Sequence, residues 1–84
     1  MHQNHPNPVD GSTTFTFNLD KDSEVTLTLY DMKGRKIAVL YQGILSAGSH
    51  SVDGGNAVAA LSSGAYVYRL QAGTEVRSKM LIKR

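Results

Sequence analysis

The chain of 84 residues has no cysteine and no tryptophan, only two prolines and a formal net charge of only +2. Without cysteine there is no disulfide, no thiolate nucleophile and no Cys-containing metal site, so stability has to come from packing alone. A domain of this size buries about 60% of its unfolded surface, which leaves little margin. The small net charge gives no case for nucleic acid. No apolar run approaches the roughly 18 residues of a membrane helix, and the N-terminus lacks a basic-then-apolar leader pattern. Met1 ahead of a polar stretch reads as a start placed on an excised piece of a longer protein. Both prolines fall in residues 1–12, MHQNHPNPVDGS, which have no apolar periodicity and read as an extended linker from an upstream protein, with one domain over 13–84.

What is present is alternation. In TTFTFNL, Phe15, Phe17 and Leu19 share one face, the mark of a half-buried strand. The stretch 24–41, EVTLTLYDMKGRKIAVLY, reads as a β-hairpin, with Val25, Leu27 and Leu29 on the buried face of its first arm. Its turn, Asp31-Met32-Lys33-Gly34, offers an Asp for the turn backbone and a Gly where a type I turn followed by a left-handed residue needs φ > 0. The second arm carries Ile37, Val39 and Tyr41 on one side and Ala38 and Leu40 on the other, which predicts a central strand. Residues 42–48 read as a loop, and 49–53 as a short strand with His50 and Val52 inward. NAVAAL at 56–61 is too short for a stable helix and reads as a crossover or irregular strand.

A second hairpin spans 65–83, turning at Ala72-Gly73-Thr74, with Tyr66, Tyr68 and Leu70 on one face. In its closing strand Val76, Met80 and Ile82 alternate with Arg77, Lys79, Leu81 and Lys83, and the basic groups are expected to point outward. About six or seven short strands with regular turn signals predict an all-β fold, an immunoglobulin-like antiparallel β-sandwich, with a small barrel as the alternative.

Chemistry-bearing patterns are weak. His2 and His5 lie in the linker, and His50 with Asp53 sits on one short strand that cannot by itself assemble nucleophile, base and orienter. Asp10, Asp20, Asp22 and Asp31 fall in turns without the DxDxDG spacing of a calcium loop, which leaves a loop calcium as a minor alternative. The glycines form no GxGxxG or GxxxxGK loop. Arg77, Lys79, Lys83 and Arg84 put four of the nine basic groups in the last eight residues, but no aromatics accompany them for base stacking. No catalytic, metal-binding or cofactor-binding residue is assigned, and the chain reads as a non-enzyme. The segment Leu61-Ser62-Ser63-Gly64-Ala65-Tyr66 resembles the tyrosine corner of Greek-key sandwiches, where the phenol bonds a backbone group a few residues upstream.

Taken in order, NHPNPVDGSTTFTFNL, VTLTLYDMKGRKIAVL, LSAGSHSVDG, LSSGAYVYRLQAG and the closing KMLIKR resemble the C-terminal sorting domain of the type IX (Por) secretion system, type A. Members of that family also resemble the immunoglobulin-like domain of flagellar hook-capping proteins. Where many relatives carry Trp before the Asp of the SAGxH segment, this chain has Val52. The resemblance implies a non-catalytic module of a larger secreted protein from a Bacteroidota-type bacterium. Its partners would be an upstream cargo, the outer-membrane export machinery and a sortase-like protease, with no nucleic acid and no membrane insertion. It would pass through the periplasm and end secreted or at the cell surface. The residues matching the family's motifs are Gly64 and Tyr66 in the corner, Gly73 in the last turn, and Lys79, Met80, Leu81, Ile82, Lys83 and Arg84 in the strand that the machinery would read. The competing readings are a passive immunoglobulin-like spacer of an extracellular enzyme and a carbohydrate-binding module. The latter would have only Tyr30, Tyr41 and Tyr68 for a ring platform.

Overall fold

A computed structural model describes residues 13–84; the expected linker, residues 1–12, lies outside the described residues. Six strands and one helical turn follow in order: β1 (Thr14–Leu19), β2 (Ser23–Asp31), β3 (Lys36–Leu45), β4 (Gly48–Asp53), α1 (Gly55–Ala59), β5 (Gly64–Ala72) and β6 (Glu75–Lys83). They form a two-stranded sheet, β1-β4, and a four-stranded sheet of order β3-β2-β5-β6, with every pairing antiparallel. The fold is the all-β sandwich that the alternation predicts.

The core lies between the sheets because one parity of each strand is apolar. Phe15, Phe17 and Leu19 of β1 meet Val25, Leu27 and Leu29 of β2, Tyr68 and Leu70 of β5, and Leu81 of β6. Phe15 and Tyr68 stack edge to face with centroids 4.7 Å apart, the favoured geometry for rings with negative faces and positive edges.

The first hairpin closes as its residues require. Gly34 adopts φ +85°, its N–H donates to the Asp31 carbonyl at 3.1 Å, and the Asp31 N–H donates to the Arg35 carbonyl at 3.0 Å. Asp31 Oδ1 accepts the backbone N–H groups of Lys33 and Arg35, both at 2.9 Å, and Oδ2 accepts Arg35 Nε at 2.8 Å. A Cβ at Gly34 would touch nothing within 4 Å, so its cost is purely conformational, about 1 kcal/mol. Gly34→Ala is therefore expected to lower the melting temperature by roughly 4–8 °C without altering the circular dichroism spectrum. An unchanged melting curve would show that the left-handed residue is not needed.

The same hydrogen bonds hold the Asp31 carboxyl below the usual carboxylate range, the Arg35 backbone N–H contributing most. A depressed folded-state pKa adds stability that is complete above the unfolded value of about 3.9 and is lost as pH falls through the folded one. The stability gap between the wild-type domain and Asp31→Asn is expected to narrow in acid melts below about pH 4. A gap constant from pH 7 to pH 2 would contradict it.

Three local expectations are corrected. β3 is an edge strand, not a central one. Its register against β2 shifts between Leu27 and Thr28 and again between Leu29 and Tyr30, leaving Leu40 and Ile37 without opposite residues. These bulges, rather than burial on both sides, explain its doubly apolar pattern: Ile37, Val39 and Ile44 are exposed, Ile44 at 77%. The stretch 42–45, expected as loop, continues β3 and pairs with Ser23–Thr26. Residues 55–59 form a helical turn in the crossover from β4 to β5, not an irregular strand. Asp53 Oδ1 accepts the Gly55 N–H at 2.9 Å, and burial of Val58 holds the turn in place.

Candidate functional site

The candidate site is the closing strand and the structure it leans on. β6 pairs with β5 over its whole length, from Ala72↔Glu75 to Gly64↔Lys83. It is the last strand in the sheet order, so its far side pairs with no strand among the described residues.

The orientation of its side chains departs from expectation. Leu81, opposite Tyr66, is fully buried, and Lys83 is only 8% exposed, whereas Val76 and Met80 are about half exposed, at 52% and 48%. Lys83 therefore does not point outward. The physical reason is parity: once the core takes Leu81, the strand's period of two turns Lys79 and Lys83 to the same side. Lys83 resolves the conflict by covering its stem and placing Nζ 3.4 Å from the Ala59 carbonyl at the end of α1, the usual solution for an amphipathic side chain. Lys79, opposite Tyr68, is half-buried, Ile82, opposite Ala65, is half-buried, and Arg84 lies exposed beyond the strand. The signal that reveals this in sequence is the lone Leu81 sharing its parity with the lysines.

At the head of β5, Tyr66 packs against the core and its Oη donates to the Ser62 carbonyl at 2.7 Å. The phenol thus ties the loop after α1 to the strand that pairs with Leu81. Tyr66→Phe keeps the ring and removes this bond, so a loss of about 1 kcal/mol is expected in urea melts. A neutral substitution would mean that water replaces the carbonyl without cost. Gly64, with φ +150°, lies opposite Lys83, and Gly73, with φ +60°, forms the β5–β6 turn and donates its N–H to the Glu24 carbonyl at 3.1 Å. The site therefore gathers Gly64, Tyr66 and Lys79–Arg84 at one end of the sandwich, while Gly73 closes the opposite end of the same strand pair. Asp31 and Gly34 sit in the hairpin turn near the first end, since Asp31 pairs with Tyr66.

His50 is held by the fold rather than by chemistry. Its Nε2 lies 2.6 Å from the Ser46 carbonyl and its ring is 5.9 Å from that of Phe17. No group of three His, Cys, Asp or Glu among the described residues could hold a metal ion, and no helix there is long and apolar enough to cross a membrane. The three tyrosines suggested as a sugar platform are not coplanar partners: Tyr68 is fully buried, and Tyr41 packs against the core. Only Tyr30 lies on the outer face, and it carries Arg69 over its ring.

No curated protein and no solved structure gives a significant match to the chain. A family described as the secretion system C-terminal sorting domain matches residues 4–84. That span takes in the NHPNP lead-in, both hairpins, the Tyr66 corner and all of β6, and the chain belongs to the family of type IX (Por) secretion system C-terminal sorting domains.

Proposed function

We propose that this domain carries an attached upstream cargo across the outer membrane, and that β6 is the strand the export machinery reads. Family membership makes the domain a secretion-sorting signal, served by the type IX machinery and destined with its cargo for a secreted or cell-surface location. The finer steps are our reading. The cargo waits in the periplasm, the machinery reads Lys79–Arg84 on β6, and a sortase-like protease then removes the domain, which itself does no chemistry.

The observation that carries this reading is that Lys79–Arg84 lie on β6, the last strand of the sheet among the described residues and within the span that the sorting-domain family matches. The cationic groups of Lys79 and Arg84 on that strand fit a receptor with an acidic groove. The test is a reporter fused ahead of the full chain in a host with this export system. The intact fusion should reach the medium, and Lys79→Gln with Arg84→Gln, which leaves Lys83 in place, should leave it in the periplasm with the domain still folded. Efficient export of that folded double variant would sink a charge-read strand. Retention of the intact fusion would favour a passive spacer.

A further inference from the structure

The four-stranded sheet has an outer face that no second layer covers among the described residues, because β1 and β4 lie on its other side. Register places Tyr30 between Lys36 and Val67, Val67 opposite Met80, and Arg69 between Thr28 and Ser78. An open antiparallel face is ordinarily polar, but here Val67, Met80, Val76 and the neighbouring Met32 of the hairpin turn make it substantially apolar, Met32 being 57% exposed. Arg69 Nη2 donates to Tyr30 Oη at 2.6 Å, and the guanidinium carbon stands 5.0 Å from the centre of the Tyr30 ring. Thr28 is buried although it faces outward. An open depression of about 310 Å³ lies here, lined by Tyr30, Asp31, Met32, Gly34, Val67, Arg69 and Ser78.

Cations outnumber acids around this depression. Arg69 is at its wall, Lys36 opposes Tyr30, and Lys33 is in the adjoining turn. The one acid in its lining, Asp31, is already committed to two backbone N–H groups and to the Arg35 side chain. We infer that this outer face is a docking site for a component of the export machinery, one that presents a carboxylate side chain beside an aliphatic one. The carboxylate would take N–H groups of Arg69 not used by Tyr30, in the fork geometry that guanidinium offers. The aliphatic group would settle among Met32, Val67 and Met80, where thioether side chains adapt to the shape they receive. Because Tyr30 already holds the guanidinium, little side-chain freedom is lost on docking. A second copy of this chain is a poorer occupant, since face-to-face pairing would set Lys33, Lys36 and Arg69 against their own equivalents.

This inference rests on the export reading, and the experiment separates the two. With the reporter fused ahead of the full chain, Arg69→Glu is expected to cut the secreted fraction at least tenfold while melting within a few degrees of the wild-type domain. Lys21→Glu, the same charge change in the β1–β2 loop, should export normally, and Tyr30→Phe, which frees the guanidinium, should show a loss of a few-fold. Excess wild-type domain supplied in the periplasm should slow export of the reporter by competition, and the Arg69→Glu domain should not. Wild-type export and competition by a folded Arg69→Glu domain would overturn the docking site and leave the export reading standing. A wild-type dimer in sedimentation equilibrium that Arg69→Glu dissolves would also overturn it, by giving the face to a second copy. Failure of the intact fusion to export at all would overturn both.

Discussion

Phe15→Ala is expected to cost about 3–5 kcal/mol and to leave the domain close to its unfolding midpoint at 25 °C. Phe15 is fully buried, stacks edge to face on Tyr68 and borders Gly54 beside Val58, so its removal opens a cavity where both sheets and the helical turn meet. Small domains hold only about 5 kcal/mol of net stability at the low end of the usual range, so nearly all of it would go. Urea melts followed by circular dichroism measure this directly. A midpoint shift worth less than about 1 kcal/mol would mean that β1 is not packed against β5 as described. Gly54 is the reason the site cannot refill easily: a Cβ there would lie 2.6 Å from Val58 Cγ2 and 3.2 Å from Phe15 Cε2, so the backbone already passes as close as the core permits.

Truncation after Met80 is expected to unfold the domain rather than merely erase a signal. It removes Leu81, which is fully buried, along with the half-buried Ile82 and the covered stem of Lys83. Loss of the Leu81 side chain alone is worth about 2–5 kcal/mol, and the pairings of Gly64, Ala65 and Tyr66 go with it. The truncated domain should show no cooperative thermal transition. A sharp transition within a few degrees of the intact domain would mean that Leu81 is not part of the core. It follows that loss of export in such a truncation says nothing about recognition, and that Lys83→Gln mixes a folding effect into any test of charge. Lys79→Gln with Arg84→Gln is the cleaner probe.

β1, β2 and the β5–β6 hairpin are legible in the chain because period-two alternation and turn chemistry are local properties. Phe15, Phe17, Leu19, Val25, Leu27 and Leu29 are inward as their spacing says, and the Asp31 to Gly34 turn is readable from two residues. β3 is not legible, because two bulges make an edge strand look apolar on both faces, and strand order depends on partners distant in sequence. In β6 three apolar residues of one parity outvote Leu81, yet Leu81 alone is the side chain the core takes. The Arg69–Tyr30 pair joins residues 39 apart in sequence, and no local pattern announces it. The assignment of Lys79–Arg84 to recognition came from family resemblance, since nothing in the spacing of these residues names a receptor.

The helical turn after β4 also fixes how the domain bears load. Gly54, just before it, donates its N–H to the Thr13 carbonyl, and Ala59, at its end, meets Lys83. The chain therefore enters β1 and leaves β6 at the same pole. Tension between an upstream cargo and the last residue would not shear a whole strand at once. It would peel β1 from β4 starting at Thr14↔Asp53, and β6 from β5 starting at Gly64↔Lys83, one rung at a time. Optical-trap pulling through residues 13 and 84 should accordingly rupture at lower force than pulling through 13 and 73, where β1 and β5 are drawn toward opposite poles. The handle that ties the domain shut at rest is also the place from which it is most easily unzipped.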